Sequence, residues 1–137
     1  GAYAGIGFAV PIDTVKRLVP DLIKYGGEVR PSLGIELEEG HLSERYRLPG
    51  ALILSVNPHG PASRLKIKES QWRHRRLIWG DMIISIEGQR TPTTSSVYQA
   101  IDDLKVGQEI SIELQRGLGS GARKRIIQLK LDGVLKR

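Results

Sequence analysis

Leu77-Ile78-Trp79-Gly80-Asp81-Met82-Ile83-Ile84-Ser85-Ile86-Glu87-Gly88 is the stretch on which the fold turns. An apolar strand over residues 82–86 has a Gly-Asp turn at its head and a Gly turn at its tail. With Ser32-Leu33-Gly34-Ile35 upstream and a short amphipathic helix downstream, it points to a peptide-binding module and away from a catalytic one.

Working outward, residues 35–37 are extended, and residues 51–56 form a nearly continuous apolar run like that of residues 82–86. Runs of this kind bounded by Gly or Pro read as central strands. Residues 95–105 have helical spacing, with Val97, Ile101 and Leu104 on one face and Gly107 just beyond the end. Ile110, Ile112 and Leu114 alternate with Ser111, Glu113 and Gln115, and Ile127, Leu129 and Leu131 repeat the alternation after Gly117-Leu118-Gly119-Ser120-Gly121. This predicts a terminal antiparallel hairpin. Residues 61–65 can form a further short helix. The expectation is an α+β fold: a partly open antiparallel barrel or sandwich of five to six strands, capped by one main and one short helix.

Ahead of this unit, Gly5-Ile6-Gly7-Phe8-Ala9-Val10-Pro11 reads as a short strand closed by proline. Asp13 or Thr14 then caps a helix carrying Val15, Leu18, Val19, Leu22 and Ile23 on one face. Pro20 removes a backbone donor and predicts a kink, and Gly26-Gly27 ends the helix. The boundary falls at residues 26–31. Residues 1–29 are too small to bury their own apolar faces, whereas residues 30–137 are of a size that folds alone. A chain that starts at Gly1 without Met is expected to be an internal piece of a longer protein.

The 137 residues contain 39% hydrophobic residues, ordinary for a globular protein, and no cysteine, which excludes disulfides and thiolate metal sites. Twenty-one Lys and Arg against fifteen Asp and Glu give a net charge of +6, with excesses at Arg73, His74, Arg75 and Arg76 and at Arg123, Lys124 and Arg125. Both clusters are expected on loops or strand edges as solvated cations. Seven aromatics without the interleaving that base stacking needs leave nucleic acid as a distant alternative. No run approaches the ~20 apolar residues that cross a bilayer, and the amino end lacks the basic start of a signal peptide.

The glycines at 117–121 join two strands and precede no Lys-Ser or Lys-Thr, so they fail as a phosphate loop. His41, His59 and His74 lack metal spacing, and neither a metal nor a cofactor is expected. No Gly-x-Ser-x-Gly or Gly-Asn-Ser-Gly-Gly occurs, and Asp102 and Asp103, as helix neighbours, point in different directions. The chain itself is expected to be catalytically inactive. A groove remains: a short loop over 31–34 with outward backbone donors leads into the strand at 35–37, beside the helix carrying Val97, Ile101 and Leu104. Such a layout lets a peptide add as a strand while loop N–H groups hold its carboxylate. From pattern alone, plain core residues and an ordinary turn at Gly34 fit equally well.

Arg30-Pro31-Ser32-Leu33-Gly34-Ile35, Gly50-Ala51-Leu52-Ile53-Leu54, Asn57-Pro58-His59-Gly60-Pro61-Ala62, Gly80-Asp81-Met82-Ile83 and Val106-Gly107-Gln108 together resemble the PDZ domain of HtrA/Deg-type, DegP-like serine proteases. The likeness covers nearly all of residues 30–132. Residues 5–15 resemble the last strand and carboxy-terminal helix of that family's trypsin-like protease domain. The long basic stretch to Arg76 is similar to the plant and cyanobacterial Deg branch. Arg64-Leu65-Lys66 departs from the family's usual Ala-Gly-Leu, and Glu87 replaces the commoner Asn or Asp before Gly88.

The resemblance implies a carboxylate-binding loop at Ser32, Leu33, Gly34 and Ile35. It implies pairing of ligand backbone with Ile35, Glu36 and Leu37, and a far wall of Val97, Ile101 and Leu104. Apolar Val97, where many PDZ domains carry His, implies a preference for hydrophobic ligand side chains. The implied partners are the C-termini or extended segments of unfolded proteins, the parent's own protease domain, and further copies of the parent in a homo-oligomer. The implied compartment is extracytoplasmic, as in the periplasm, or the chloroplast. The kinked helix at 15–25 would link the two domains mechanically. A non-catalytic PDZ adaptor is the alternative.

Overall fold

A computed structural model of the protein describes residues 9–10 and 28–136. The helix expected over 15–25, with its Pro20 kink, and the strand before Ala9 lie outside the described residues. The elements are β1 (Ala9–Val10), β2 (Glu28–Ser32), β3 (Ile35–Leu37), α1 (Leu42–Arg45), β4 (Ala51–Val56), β5 (Gln71–Arg73), β6 (Arg76–Ile78), β7 (Asp81–Ile86), β8 (Gln89–Arg90), α2 (Thr94–Asp102), β9 (Glu109–Arg116), β10 (Arg123–Lys130) and β11 (Asp132–Lys136). The main sheet runs β10-β9-β7-β4-β3, with β8 on β7; β1-β11-β2 form a second sheet and β5-β6 a separate ribbon. This is the expected α+β architecture: open antiparallel sheets with one main and one short helix.

β4 and β7 read as unbroken apolar runs because both of their faces are covered. Ala51, Ile53 and Ile83 belong to the main core, whereas Leu52, Met82 and Ile84 point into a second cluster with Leu48. Side chains alternate between faces along a strand, so only a strand buried on both sides is apolar throughout. Ile86 returns to the main core, three residues after Ile83, because the β7–β9 register shifts between Ile83 and Ser85. That irregularity inverts the alternation and keeps the strand's end buried.

The second cluster explains the short helix. The segment at 61–65 forms turns and no helix, which corrects the sequence expectation; the short helix is α1. Leu42 of α1, together with Leu77 and Trp79, packs over Leu52, Met82 and Ile84. Four helical residues are too few for any periodic signal, and the reason for this helix is a distant apolar face. The hairpin of β9 and β10 forms as expected, from Glu109–Lys130 to Arg116–Arg123 in register, but it is not terminal, since β11 continues the chain and pairs with β2. Arg123, Lys124 and Arg125 lie on β10, an edge strand, and Arg73 and Arg76 are strand residues flanking the turn at His74-Arg75.

Asp81, at the head of β7, is buried and accepts from the Lys68 amide at 2.9 Å, from Arg116 Nε at 2.7 Å and from Arg116 Nη2 at 3.1 Å. The hydrogen bond from Asp81 holds the Arg116 guanidinium more firmly in its charged form than usual, against the opposing effect of burial. The Glu87-Gly88 turn between β7 and β8 needs left-handed backbone at both positions, at φ 50° and 80°. Glu87 is tied to β9 twice: its carboxylate accepts from the Ser111 amide at 2.6 Å and its backbone amide donates to the Ser111 carbonyl at 2.9 Å.

Two glycines with different constraints should separate under substitution. A Cβ at Gly80 would stand 2.2 Å from the Lys68 carbonyl oxygen, whereas one at Gly88 would meet nothing within 4 Å and suffer only from φ. Gly80→Ala is expected to cost about 3 kcal/mol by overpacking against backbone. Gly88→Ala should cost about 1 kcal/mol from the left-handed conformation alone. Urea unfolding of the two variants checks the order.

Candidate functional site: the loop, the edge strand and the main helix

Ser32 ends β2 and Ile35 begins β3, so the chain reverses through Leu33 and Gly34. Leu33 is 4% exposed and anchors the reversal in the core. Gly34 is left-handed at φ 68°, and a Cβ there would approach Pro61 Cδ at 2.9 Å. Its glycine is therefore required by the backbone and by the wall behind it, independently of any ligand. The Gly34 carbonyl accepts from the Asn57 amide at 2.9 Å, and the Asn57 carbonyl accepts from the Gly60 amide at 3.0 Å. The turn Asn57-Pro58-His59-Gly60-Pro61 is thus a buttress for the loop. On the other side, the Gly34 amide donates to Ser32 Oγ at 3.1 Å.

β3 pairs with β4 through Ile35–Val56, Glu36–Ser55 and Leu37–Ile53, with an irregularity after Glu36, and ends the main sheet. Among the described residues its outer edge carries no strand. Glu36 is exposed and its carboxylate accepts from Ser55 Oγ at 3.1 Å.

α2 is placed by polar ties at both ends. Thr93 Oγ1 accepts from the Ser96 amide at 3.2 Å, and Ser96 Oγ accepts from the Thr93 amide at 2.9 Å, a reciprocal cap on the first turn. Thr94 Oγ1 donates to the Glu38 carbonyl at 2.5 Å and the Tyr98 hydroxyl donates to Glu39 Oε1 at 3.1 Å, so the helix start is fastened to the residues that follow β3. Beyond its end, Gly107 and Gln108 bond with Leu131 at 2.9 and 2.8 Å.

The expected site residues come together. Leu33, Leu37, Val97 and Ile101 share one core cluster, with Ile35 and Leu104 packed against it. Their exposures divide them: Val97 at 0% and Ile101 at 4% are core, while Ile35 and Leu104 are half-buried. Sequence reasoning missed a cleft of about 460 Å³ between β2 and the end of α2, lined by Arg30, Pro31, Leu104 and Lys105 among others. Arg30, Lys105 and the acidic Asp102 are the charged residues that line this cleft. The Thr93 to Ser96 spacing was a readable cap signal for the start of α2. The tie from Tyr98 to Glu39 spans 59 residues and had no local signal.

Residues 31–131 match the PDZ domain, and the chain belongs to that family. Its likeness to the HtrA/Deg branch holds as well. The chain is 36% identical over 118 residues to Protease Do-like 1, chloroplastic, of Arabidopsis thaliana, covering 85% of this chain and 27% of that protein. It is 30% identical over 123 residues to the periplasmic serine endoprotease DegP of Salmonella typhimurium, covering 85% of this chain and 23% of that one. It therefore spans about a quarter of the length of these relatives. Among solved structures, the PDZ domain of a carboxy-terminal protease from Vibrio cholerae, in complex with peptide, has the same fold. The TM-score is 0.50 at 17% identity, over 78% of this chain and 98% of that one.

The Tyr98 phenol is pushed up to about 12 by burial first, then by its bond to Glu39 and the nearby Glu39 and Glu36 charges. Its raised value favours the folded state below the ordinary tyrosine range of about 10, and that contribution is lost as pH climbs from there through 12. Absorbance titration of the protein should show a late phenolate step that is lost in Tyr98→Phe.

Proposed function

We propose that the chain is the peptide-binding PDZ domain of an HtrA/Deg-like serine endopeptidase, taking C-termini or extended hydrophobic segments of unfolded proteins for quality control. The observation that carries the reading is the free edge of β3, bounded by the Ser32–Gly34 reversal at one end and flanked by α2. A peptide laid antiparallel on that edge would complete its backbone hydrogen bonds with Ile35, Glu36 and Leu37. Its terminal carboxylate would meet the amides of Leu33, Gly34 and Ile35, with Arg30 and Lys105 close by. The Ser32 hydroxyl, now bonded to the Gly34 amide, would give way to a carboxylate oxygen.

Ligand side chains would rest on Ile35 and Leu104, whose surfaces are half-buried, with Val97 and Ile101 as the packed layer beneath. All of these surfaces are apolar, which supports selection of hydrophobic termini. The peptide held by the Vibrio PDZ domain supports the same use of the fold. Residues 1–29 belong, in this reading, to the end of the protease domain and its linker, and residues 30–137 to the PDZ domain. The parent would carry the triad upstream, assemble as a homo-oligomer, and work in the chloroplast or periplasm, as the names of the two relatives suggest.

Titration calorimetry with a peptide ending in free Val, against its amidated twin, tests the groove. The amide is expected to bind at least about tenfold more weakly, the loss of a charge-assisted hydrogen bond. Leu104→Ser should weaken binding by about tenfold while unfolding remains cooperative. Equal affinity of the two peptides would place recognition on internal segments instead. For the parent, proteolysis of an unfolded substrate lost on replacing its triad serine would establish the enzyme; no proteolysis by the intact protein would make it an adaptor.

A further inference from the structure

Of the β5–β6 ribbon, only Leu77 joins the core, and none of its residues belongs to the groove. Its stem is fixed: the amide and hydroxyl of Ser70 both donate to the Ile53 carbonyl, at 3.1 and 2.7 Å, and the Gly80 amide donates to Ser70 Oγ at 2.8 Å. Its tip turns through His74 and Arg75, both left-handed, at φ 48° and 66°. Such turns favour Asn and Gly, so two large side chains, one of them the cation Arg75, are held there against local preference.

Cross-strand pairing sorts the side chains by face. Trp72 stands opposite Leu77 on one face; Gln71 opposite Ile78, and Arg73 opposite Arg76, share the other. Trp72 is 71% exposed and Ile78 is 47% exposed, so each face shows a large apolar group to solvent. Leu77 and Trp79 pack onto the second core cluster, and the Trp79 ring lies 5.6 Å from that of Tyr46, which is 54% exposed. Arg45 lies 5.8 Å from the Tyr46 ring. Both tryptophans of the chain therefore lie on or beside this ribbon.

Arg73 and Arg76 face each other directly, an arrangement that is unfavourable without a counter-anion. None of Arg73, His74, Arg75 and Arg76 enters an ion pair among the described residues. Cations at a tip with tryptophan just behind it match the charge and polarity gradient of an anionic headgroup layer. Apolar groups are exposed on both faces, Trp72 beside the core-packed Leu77 on one and Ile78 on the other.

We propose that the β5–β6 hairpin docks onto an anionic lipid surface, its arginines on lipid phosphates and Trp72 and Ile78 at headgroup depth. The ribbon shares no residue with the peptide groove, so a membrane-held protein could still take peptide.

Co-sedimentation of the whole chain with phosphatidylcholine vesicles, with and without phosphatidylglycerol, is the test. Binding should be at least about tenfold stronger to the anionic vesicles and should fall with salt. Arg75→Glu with Arg76→Glu should weaken it by about fivefold per position or more, and Trp72→Ala by several-fold, without change in peptide affinity. Brominated lipid should quench tryptophan emission in the unaltered protein and much less in Trp72→Phe, a readout independent of the charge variants. Equal binding to both vesicle types, or vesicle binding with Trp72 unquenched, would overturn the proposal. So would polyglutamate binding as tight as vesicle binding with no quenching, which would assign the surface to an acidic protein.

Discussion

The structure depends on the burial of β4 and β7 from both sides. Ala51, Ile53 and Ile83 face one apolar cluster and Leu52, Met82 and Ile84 the other, so each strand demands cover on two faces. α2, with the β9 and β10 side chains, covers the first; α1, Leu77 and Trp79 cover the second. Polar geometry follows from that demand. Gly80 and Gly50 sit where a Cβ would strike the backbone of neighbouring segments at 2.2 Å, so the close approach of those segments is possible only because the side chains are absent. Asp81 then uses its buried carboxylate to tie the Lys68 amide and Arg116 to the head of β7.

The groove proposed for peptide is a by-product of this layering. Because β3 is the last strand of the main sheet, its outer edge is left for a partner, and because α2 must cover Ile53 and Ile83, it comes to lie alongside that edge. Val97 and Ile101 are buried in the core, which leaves Ile35 and Leu104 as its partly exposed apolar residues beside that edge. The loop at Gly34 is held by the Asn57–Pro61 turn behind it, so its backbone is fixed in place by the fold itself.

Charge is arranged with similar economy. Arg116 and Arg125 are used internally: Arg116 on Asp81, and Arg125 on the carbonyls of Leu65 and Lys66 at 2.6 and 2.9 Å. The cations at the tip of the β5–β6 ribbon have no such use among the described residues, and they stand beside Trp72, the most exposed large apolar side chain among those residues. A composition-level charge of +6 cannot distinguish these two kinds of arginine.

Much of the fold was legible in the sequence because its signals are local. Period-two alternation announced β9 and β10, continuous apolar runs announced β4 and β7, and helical spacing announced α2. The family, too, was written in short motifs around Gly34, Gly80 and Gly107. What the sequence alone could not determine depended on faces meeting at long range. α1 exists to cover a cluster made by distant strands. Val97 and Ile101 are core and not open wall because α2 is packed against the sheet and its start is fastened to Glu38 and Glu39. Arg30 and Lys105 share a cleft across 75 residues of chain only once β2 and the end of α2 are packed together. Local pattern states which face of an element is apolar; only the packed structure decides what that face meets.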